Sequence, residues 1–146
     1  MKSRQAFVAL SAIAWADGWM SVEESRAILD AATGCGLTGA DLEAVFRATS
    51  ERQDLWQVDL DAIPRKERLV LLAMAVWIAR VDGRETREEL ALIHVLAEAL
   101  QIDRRDRAAA VTAAHLVAAL PPDLRPGRFD VLGLSRRLAE VTRFVP

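Results

Sequence analysis

Residues 7–38 read FVALSAIAWADGWMSVEESRAILDAATGCGLT, and residues 72–103 read LAMAVWIARVDGRETREELALIHVLAEALQID. The two stretches align without a gap at an offset of 65. Eight of the 32 positions are identical: Ile13/Ile78, Ala14/Ala79, Asp17/Asp82, Gly18/Gly83, Glu23/Glu88, Glu24/Glu89, Ile28/Ile93 and Ala32/Ala97. Ser21/Thr86 and Leu37/Ile102 are conservative. The identities cluster around Asp-Gly, where matches between apolar residues cannot account for them. Two copies are too few for a solenoid. The pattern predicts an all-α, internally duplicated helical bundle with a pseudo-twofold axis.

Each copy reads as a run of helices. The first helix covers 4–16 and its partner 65–80, and both end at Asp-Gly, where glycine adopts the left-handed conformation that stops a helix. Ser21-Val22-Glu23-Glu24 and Thr86-Arg87-Glu88-Glu89 are S/T-x-x-E capping boxes that start the second helices. Ile28, Ala31, Ala32 and Cys35 follow at helical spacing, as do Leu90, Ile93, Ala97 and Leu100. A third helix starts after Thr38-Gly39, with Leu42, Val45 and Phe46 on one face, and its counterpart is the Ala-rich stretch 104–120. A short helix over 54–62 links the copies. Pro121-Pro122 and Pro126-Gly127 break the chain, and a last helix runs over 129–145. The total is seven to eight helices in one domain, 1–146, with units 4–62 and 65–125. From Leu69 onward the helix before Asp82 is apolar on every side, which predicts a central, buried helix packed beside residues 7–16.

Composition agrees. The chain has 146 residues, 26 of them Ala and 19 Leu, with no Tyr; 52% are apolar and 27% charged. That mixture favours helix over a sandwich or barrel. Cys35 stands alone, so no internal disulfide or Cys-rich zinc site forms. The net charge of −2 supplies no basic field for nucleic acid. Charge is uneven: residues 1–64 hold five Lys/Arg against ten Asp/Glu, and residues 65–146 hold 14 against 11. A cation therefore finds more acidic groups in the first half.

The start of the chain imitates a signal peptide. Met1-Lys2-Ser3-Arg4 is basic, residues 6–16 are mostly apolar, and Ala14-Trp15-Ala16 resembles a cleavage site. The same apolar pattern recurs at 72–81, so the expectation is a helix of the fold in a cytoplasmic protein. The longest apolar run, residues 69–79, falls short of the roughly 20 residues of a membrane span.

The chemistry-bearing residues sit in the two turns. Each copy places an Asp just past one helix and a Glu in the first turn of the next: Asp17 with Glu24, and Asp82 with Glu89. The chain reverses between them, so the carboxylates could approach one another. Hard cations such as Ca²⁺, Mg²⁺ or Mn²⁺ take such oxygen ligands. The spacing mimics the second half of an EF-hand loop, but placing Gly18 at the loop glycine puts Ile13 and Trp15 at the first two ligand positions, where neither side chain ligates calcium. The same residues have a purely structural reading: Glu24 and Glu89 close capping boxes, and Asp17 and Asp82 favour the turn before glycine.

Ala-Asp-Gly-x-x-Ser-x-x-Glu in a helix–turn–helix, present twice in an all-helical chain, resembles the TerB family of bacterial tellurite-resistance proteins. The similarity covers residues 4–120. The resemblance implies a duplicated helical bundle, a cytoplasmic role in the response to tellurite and other stress, and a divalent cation held by acidic residues of the motif. The matching positions are Asp17, Glu24, Asp82 and Glu89. The second copy departs at Val81 and carries Arg84 and Arg87 inside its turn, which places the cation in the first turn in preference.

Among other residues, His94 is expected to pair with Glu98 at i, i+4, His115 to be satisfied within its helix, and Cys35 to lie in the core. Trp15 and Trp19 bracket the first Asp-Gly, either packed over the turn or exposed to a partner. Arg125, Arg128, Arg136 and Arg137, mixed with Asp123, Asp130 and Glu140, read as a solvated face. No phosphate loop, Ser/His/Asp order or His-rich motif is present. The expectation is a non-enzymatic protein, monomer or homodimer, with no nucleic-acid partner. The competing reading is a metal-independent helical interaction module with an unidentified protein partner.

Overall fold

In the computed structural model the described residues are 3–80, 86–118, 134, 136, 138 and 139. They are all-helical, without strands. Six α-helices run in order: α1 (Arg4–Ala14), α2 (Val22–Gly34), α3 (Gly39–Ser50), α4 (Arg65–Ile78), α5 (Arg87–Ala99) and α6 (Arg104–Ala118). The expected linking helix over 54–62 is instead two single 3₁₀ turns, Leu55–Gln57 and Leu60–Ala62. Asp59 caps the second of them, its carboxylate accepting the Ala62 N–H at 3.3 Å, so the segment restarts there rather than running through as one helix. Of the expected helix 129–145, the four described residues are helical. Val81–Glu85, Pro121-Pro122 and Pro126-Gly127 lie outside the described residues.

Two helices are buried nearly all round. Every residue from Leu71 to Ala79 is buried, and so are Ala6, Phe7 and all of Ala9 to Ala14. As the uninterrupted apolar pattern implied, α1 and α4 pack against each other at the centre. Alanine at 6, 9, 12, 73, 75 and 79 keeps their surfaces low. Several neighbours can then reach each helix: α1 meets α2, α3 and α5, and α4 meets α2, α5 and α6. Leu134 and Leu138 join the same core.

Helix ends repeat along with the sequence. α2 and α5 begin and end 65 residues apart, and α3 and α6 begin 65 apart. Ser21 Oγ accepts the Glu24 N–H at 3.0 Å, and Thr86 Oγ1 accepts the Glu89 N–H at 3.2 Å. Both second helices close with the same pair of bonds. Leu37 N–H reaches Ala32 O while Gly36 N–H reaches Thr33 O; Ile102 N–H reaches Ala97 O while Gln101 N–H reaches Glu98 O. This is the Schellman arrangement, whose turn residue must have positive φ. Gly36 meets the demand at φ +89°, but Gln101 sits at φ +58°, where a Cβ crowds the backbone. Gln101→Gly is expected to stabilise the protein by about 1 kcal/mol, raising Tm by roughly 2–4 °C in a thermal melt. An unchanged or lower Tm would show that the side chain compensates for its strain.

Arg107 fastens the turn from the other side. Its Nε donates to Ile102 O at 2.7 Å and its Nη1 to Glu98 Oε1 at 2.9 Å. That hydrogen bond, then the guanidinium charge, holds the Glu98 carboxyl below its ordinary range.

Two expected core positions face outward. Leu90, in the first turn of α5, is 47% exposed, and Phe46 on α3 is 60% exposed. Helical spacing put both on an apolar stripe wider than the neighbouring helices cover. Cys35 is half-buried rather than in the core, and burial chiefly pushes its thiol pKa up, leaving little thiolate at neutral pH.

Candidate functional site: the first Asp-Gly turn and its groove

α1 stops at Ala14, earlier than the expected residue 16. Trp15 caps it with its N–H on Ser11 O, Ala16 N–H tightens back to Ile13 O, and Gly18 N–H bonds Trp15 O. Gly18 then turns the chain at φ +81°, as its place after Asp17 predicted. A Cβ there would meet Arg52 Nη1 at an ordinary 3.8 Å, so the backbone conformation, not space, calls for glycine.

Asp17 lies exposed at the turn, and its Oδ1 accepts the Trp19 N–H at 2.9 Å. This Asx turn gives the aspartate a conformational task independent of any ligand. Glu24 and Glu89 occupy matched positions three residues past their caps, and each is only 2% exposed. The first turn therefore offers one carboxylate at the surface and one beneath it. Asp82 lies outside the described residues, so its relation to Glu89 does too. Among the described residues no group of three or more His, Cys, Asp or Glu is placed to hold a metal ion.

The remaining polar candidates have structural duties. His94 Nε2 lies 3.9 Å from Glu98 Oε1, the expected i, i+4 pair, with both side chains exposed. His115 is exposed on α6. A hollow of about 230 Å³ between the first turns of α4 and α6 is lined by Arg65, Arg68 and Asp106. Arg68 there donates to Ile63 O and Leu100 O, tying α4 to the start of the α5–α6 turn.

The feature that helical patterning missed lies beside the first turn. Trp15 turns inward and its Nε1 donates to Ala48 O at 2.9 Å, bracing the end of α1 against α3. Trp19, across the Asp-Gly, is 70% exposed. Between α2 and α3 an open groove of about 450 Å³ is lined by the apolar side chains of Trp15, Met20, Val22 and Leu29, with Arg26 and Asp30 among its polar groups. Val22 is 68% exposed. Phe46 stands one helical turn before Thr49, which also lines the groove. The signal was present in the sequence: Trp15, Trp19, Met20 and Val22 align with Arg80, Arg84, Glu85 and Arg87. In the sequence, the four residues 65 positions later are charged where these are apolar. No helix among the described residues is long and apolar enough to cross a membrane. Comparison with family models, with curated proteins and with solved structures finds no match for this chain.

Proposed function

We propose that this chain is a non-enzymatic, TerB-like protein of a bacterial stress response, made of two copies of one helical unit, and that its first Asp-Gly turn is the working part. The observation that carries the reading is the matched pair of cap geometries: Ser21 with Glu24 and Thr86 with Glu89, each glutamate buried in its first turn. Within it, a divalent cation binds at Asp17 and Glu24 in preference to Asp82 and Glu89. An ion that keeps several waters, as Mg²⁺ does, suits so small a set of protein ligands. Ca²⁺ and Mn²⁺ share the oxygen preference.

The test is a thermal melt and calorimetric titration with Mg²⁺, Ca²⁺ and Mn²⁺, on wild type, Asp17→Asn and Glu24→Gln. An ion bound only to the native state stabilises it by about 2.7 kcal/mol at a hundredfold excess over Kd. The expected result is a rise in Tm for wild type that both variants lose. If no ion raises Tm, the turns are caps and the cation reading falls.

A second reading is favoured by the groove and the exposed Trp19, Val22 and Phe46: a metal-independent interaction module that presents this face of α2 and α3 to a protein partner. The two readings place the function on the same unit and differ in what reaches it.

A further inference from the structure

We propose that the hollow between the first turns of α4 and α6 binds a free amino acid, holding its carboxylate with Arg65 and Arg68 and its ammonium with Asp106. It draws on none of the residues of the first Asp-Gly turn or of the groove beside it. The hollow, about 230 Å³, is lined by those two guanidiniums, that one carboxylate and the amide of Gln101, with Leu69 and Ile102 among its apolar residues. Pockets for drug-sized ligands run to roughly 300–1,000 Å³, so this one suits a molecule of amino-acid size. None of the ion pairs among the described residues uses Arg65, Arg68 or Asp106. Arg68 is also held ready: Nε and Nη1 donate to Ile63 O and Leu100 O, which fixes the guanidinium plane and leaves the Nη2 hydrogens. A guanidinium fixed beforehand loses little freedom when it takes a carboxylate.

The first unit lacks this chemistry 65 residues earlier. Asp41 stands where Asp106 does, but Arg4 lies 3.6 Å from it, and the counterpart of Arg4 is Leu69. The aspartate of the second unit is therefore without the arginine that neutralises its twin. Gly36 stands where Gln101 does, and both have positive φ, +89° and +58°. A side chain at such a position is strained, and strain of this kind is a pointer to function. Here that side chain lines the hollow.

Charge then selects the ligand. Residues 65–68 and 98–107 carry six Lys/Arg against four Asp/Glu, with Arg107 already paired to Glu98. A carboxylate is drawn to the arginines. A lone amine is repelled by them, and a doubly charged phosphate is repelled by Asp106. A zwitterion satisfies both signs, and Leu69 and Ile102 favour an aliphatic side chain on it.

The probes are alanine, valine and leucine, titrated calorimetrically at millimolar concentrations into the full chain in phosphate-free buffer. Leucinamide, which lacks the carboxylate, 4-methylpentanoate, which lacks the ammonium, and inorganic phosphate are the controls. At least one amino acid is expected to bind saturably, and leucine at least tenfold more tightly than any control. Arg65→Gln, at an exposed position, is expected to weaken binding at least tenfold with an unchanged circular dichroism spectrum. Asp106→Asn is expected to erase the preference for leucine over 4-methylpentanoate. Gln101→Gly is expected to weaken binding at least threefold while raising Tm, opposite effects that a purely structural residue would not give.

No saturable binding of any of the three amino acids overturns the proposal. Equal binding of leucine and 4-methylpentanoate to wild type overturns the role of Asp106 and the zwitterion with it. Phosphate that binds more tightly than leucine and is lost in Arg65→Gln makes the hollow a phosphate site and overturns it too. Leucine binding that none of the three variants weakens lies elsewhere on the molecule and overturns it as well.

Discussion

A chain lacking residues 1–16 is expected not to fold: no cooperative transition in urea and no helical signal that melts sharply. α1 contributes Phe7, Leu10 and Ile13, all fully buried, together with Ala6, Ala9 and Ala12. It packs on α2, α3, α4 and α5 and on both 3₁₀ turns. Burial of the three large side chains alone is worth roughly 5–9 kcal/mol, at about 1.5–3 kcal/mol each. Removing the helix also uncovers the α4 surface it covers. A whole domain is stable by about 5–15 kcal/mol, so the loss takes most or all of it. The point-mutation counterpart is Phe7→Ala, expected to cost about 3–5 kcal/mol in the same urea experiment and to leave a folded but weakened protein. A truncated chain that melts cooperatively as a monomer would show that α1 is dispensable, and would restore the signal-peptide interpretation of its basic start and apolar run.

That experiment bears on a feature legible from residues alone. The apolar run of 6–16 recurs at 72–81, and a segment repeated in the interior of a chain belongs to its fold. Local rules carried well for the same reason: Ser21 and Thr86 make cap bonds, and Gly18 takes positive φ, because each depends on a few adjacent residues. Rules that depend on neighbours carried less far. Phe46 and Leu90 lie on helical stripes in the sequence, yet among the described residues both remain exposed. Periodicity reports which face is apolar, not whether a partner exists within the chain. The linker over 54–62 has helical composition, but Asp59 accepts the Ala62 N–H as a cap in mid-stretch and Pro64 closes it. The spacing of Asp17 and Glu24 was legible, their depths were not: the exposed aspartate serves the Trp19 N–H while the glutamate is buried. The groove was legible only by subtraction, from the contrast between Trp15, Trp19, Met20, Val22 and the charged residues 65 positions later.

The second large effect is expected at the centre of α4. Ala75 is fully buried on a helix that is buried continuously from Leu71 to Ala79, so Ala75→Glu has no solvent-facing direction. The new side chain adds volume where neighbours pack against a methyl group, and overpacking alone costs about 1–3 kcal/mol. Its carboxylate meets an apolar environment, and a buried charge without compensation costs about 3–5 kcal/mol. Together these approach the stability of a domain this size, so the protein is expected to be largely unfolded at neutral pH by circular dichroism. Burial raises the pKa of such a carboxyl by disfavouring its charged form. The folded state then binds a proton that the unfolded state has released, and lowering the pH toward the ordinary Glu range should recover part of the helical signal. Leu69→Glu is the comparison: on the same helix, two residues before the buried stretch and only half-buried, it lets the carboxylate reach water along its own stem. It is expected to cost roughly 1–2 kcal/mol and to show no recovery in acid. Equal tolerance of the two substitutions would mean that α4 has a wet side, and the two-helix core at the centre of this fold would have to be redrawn.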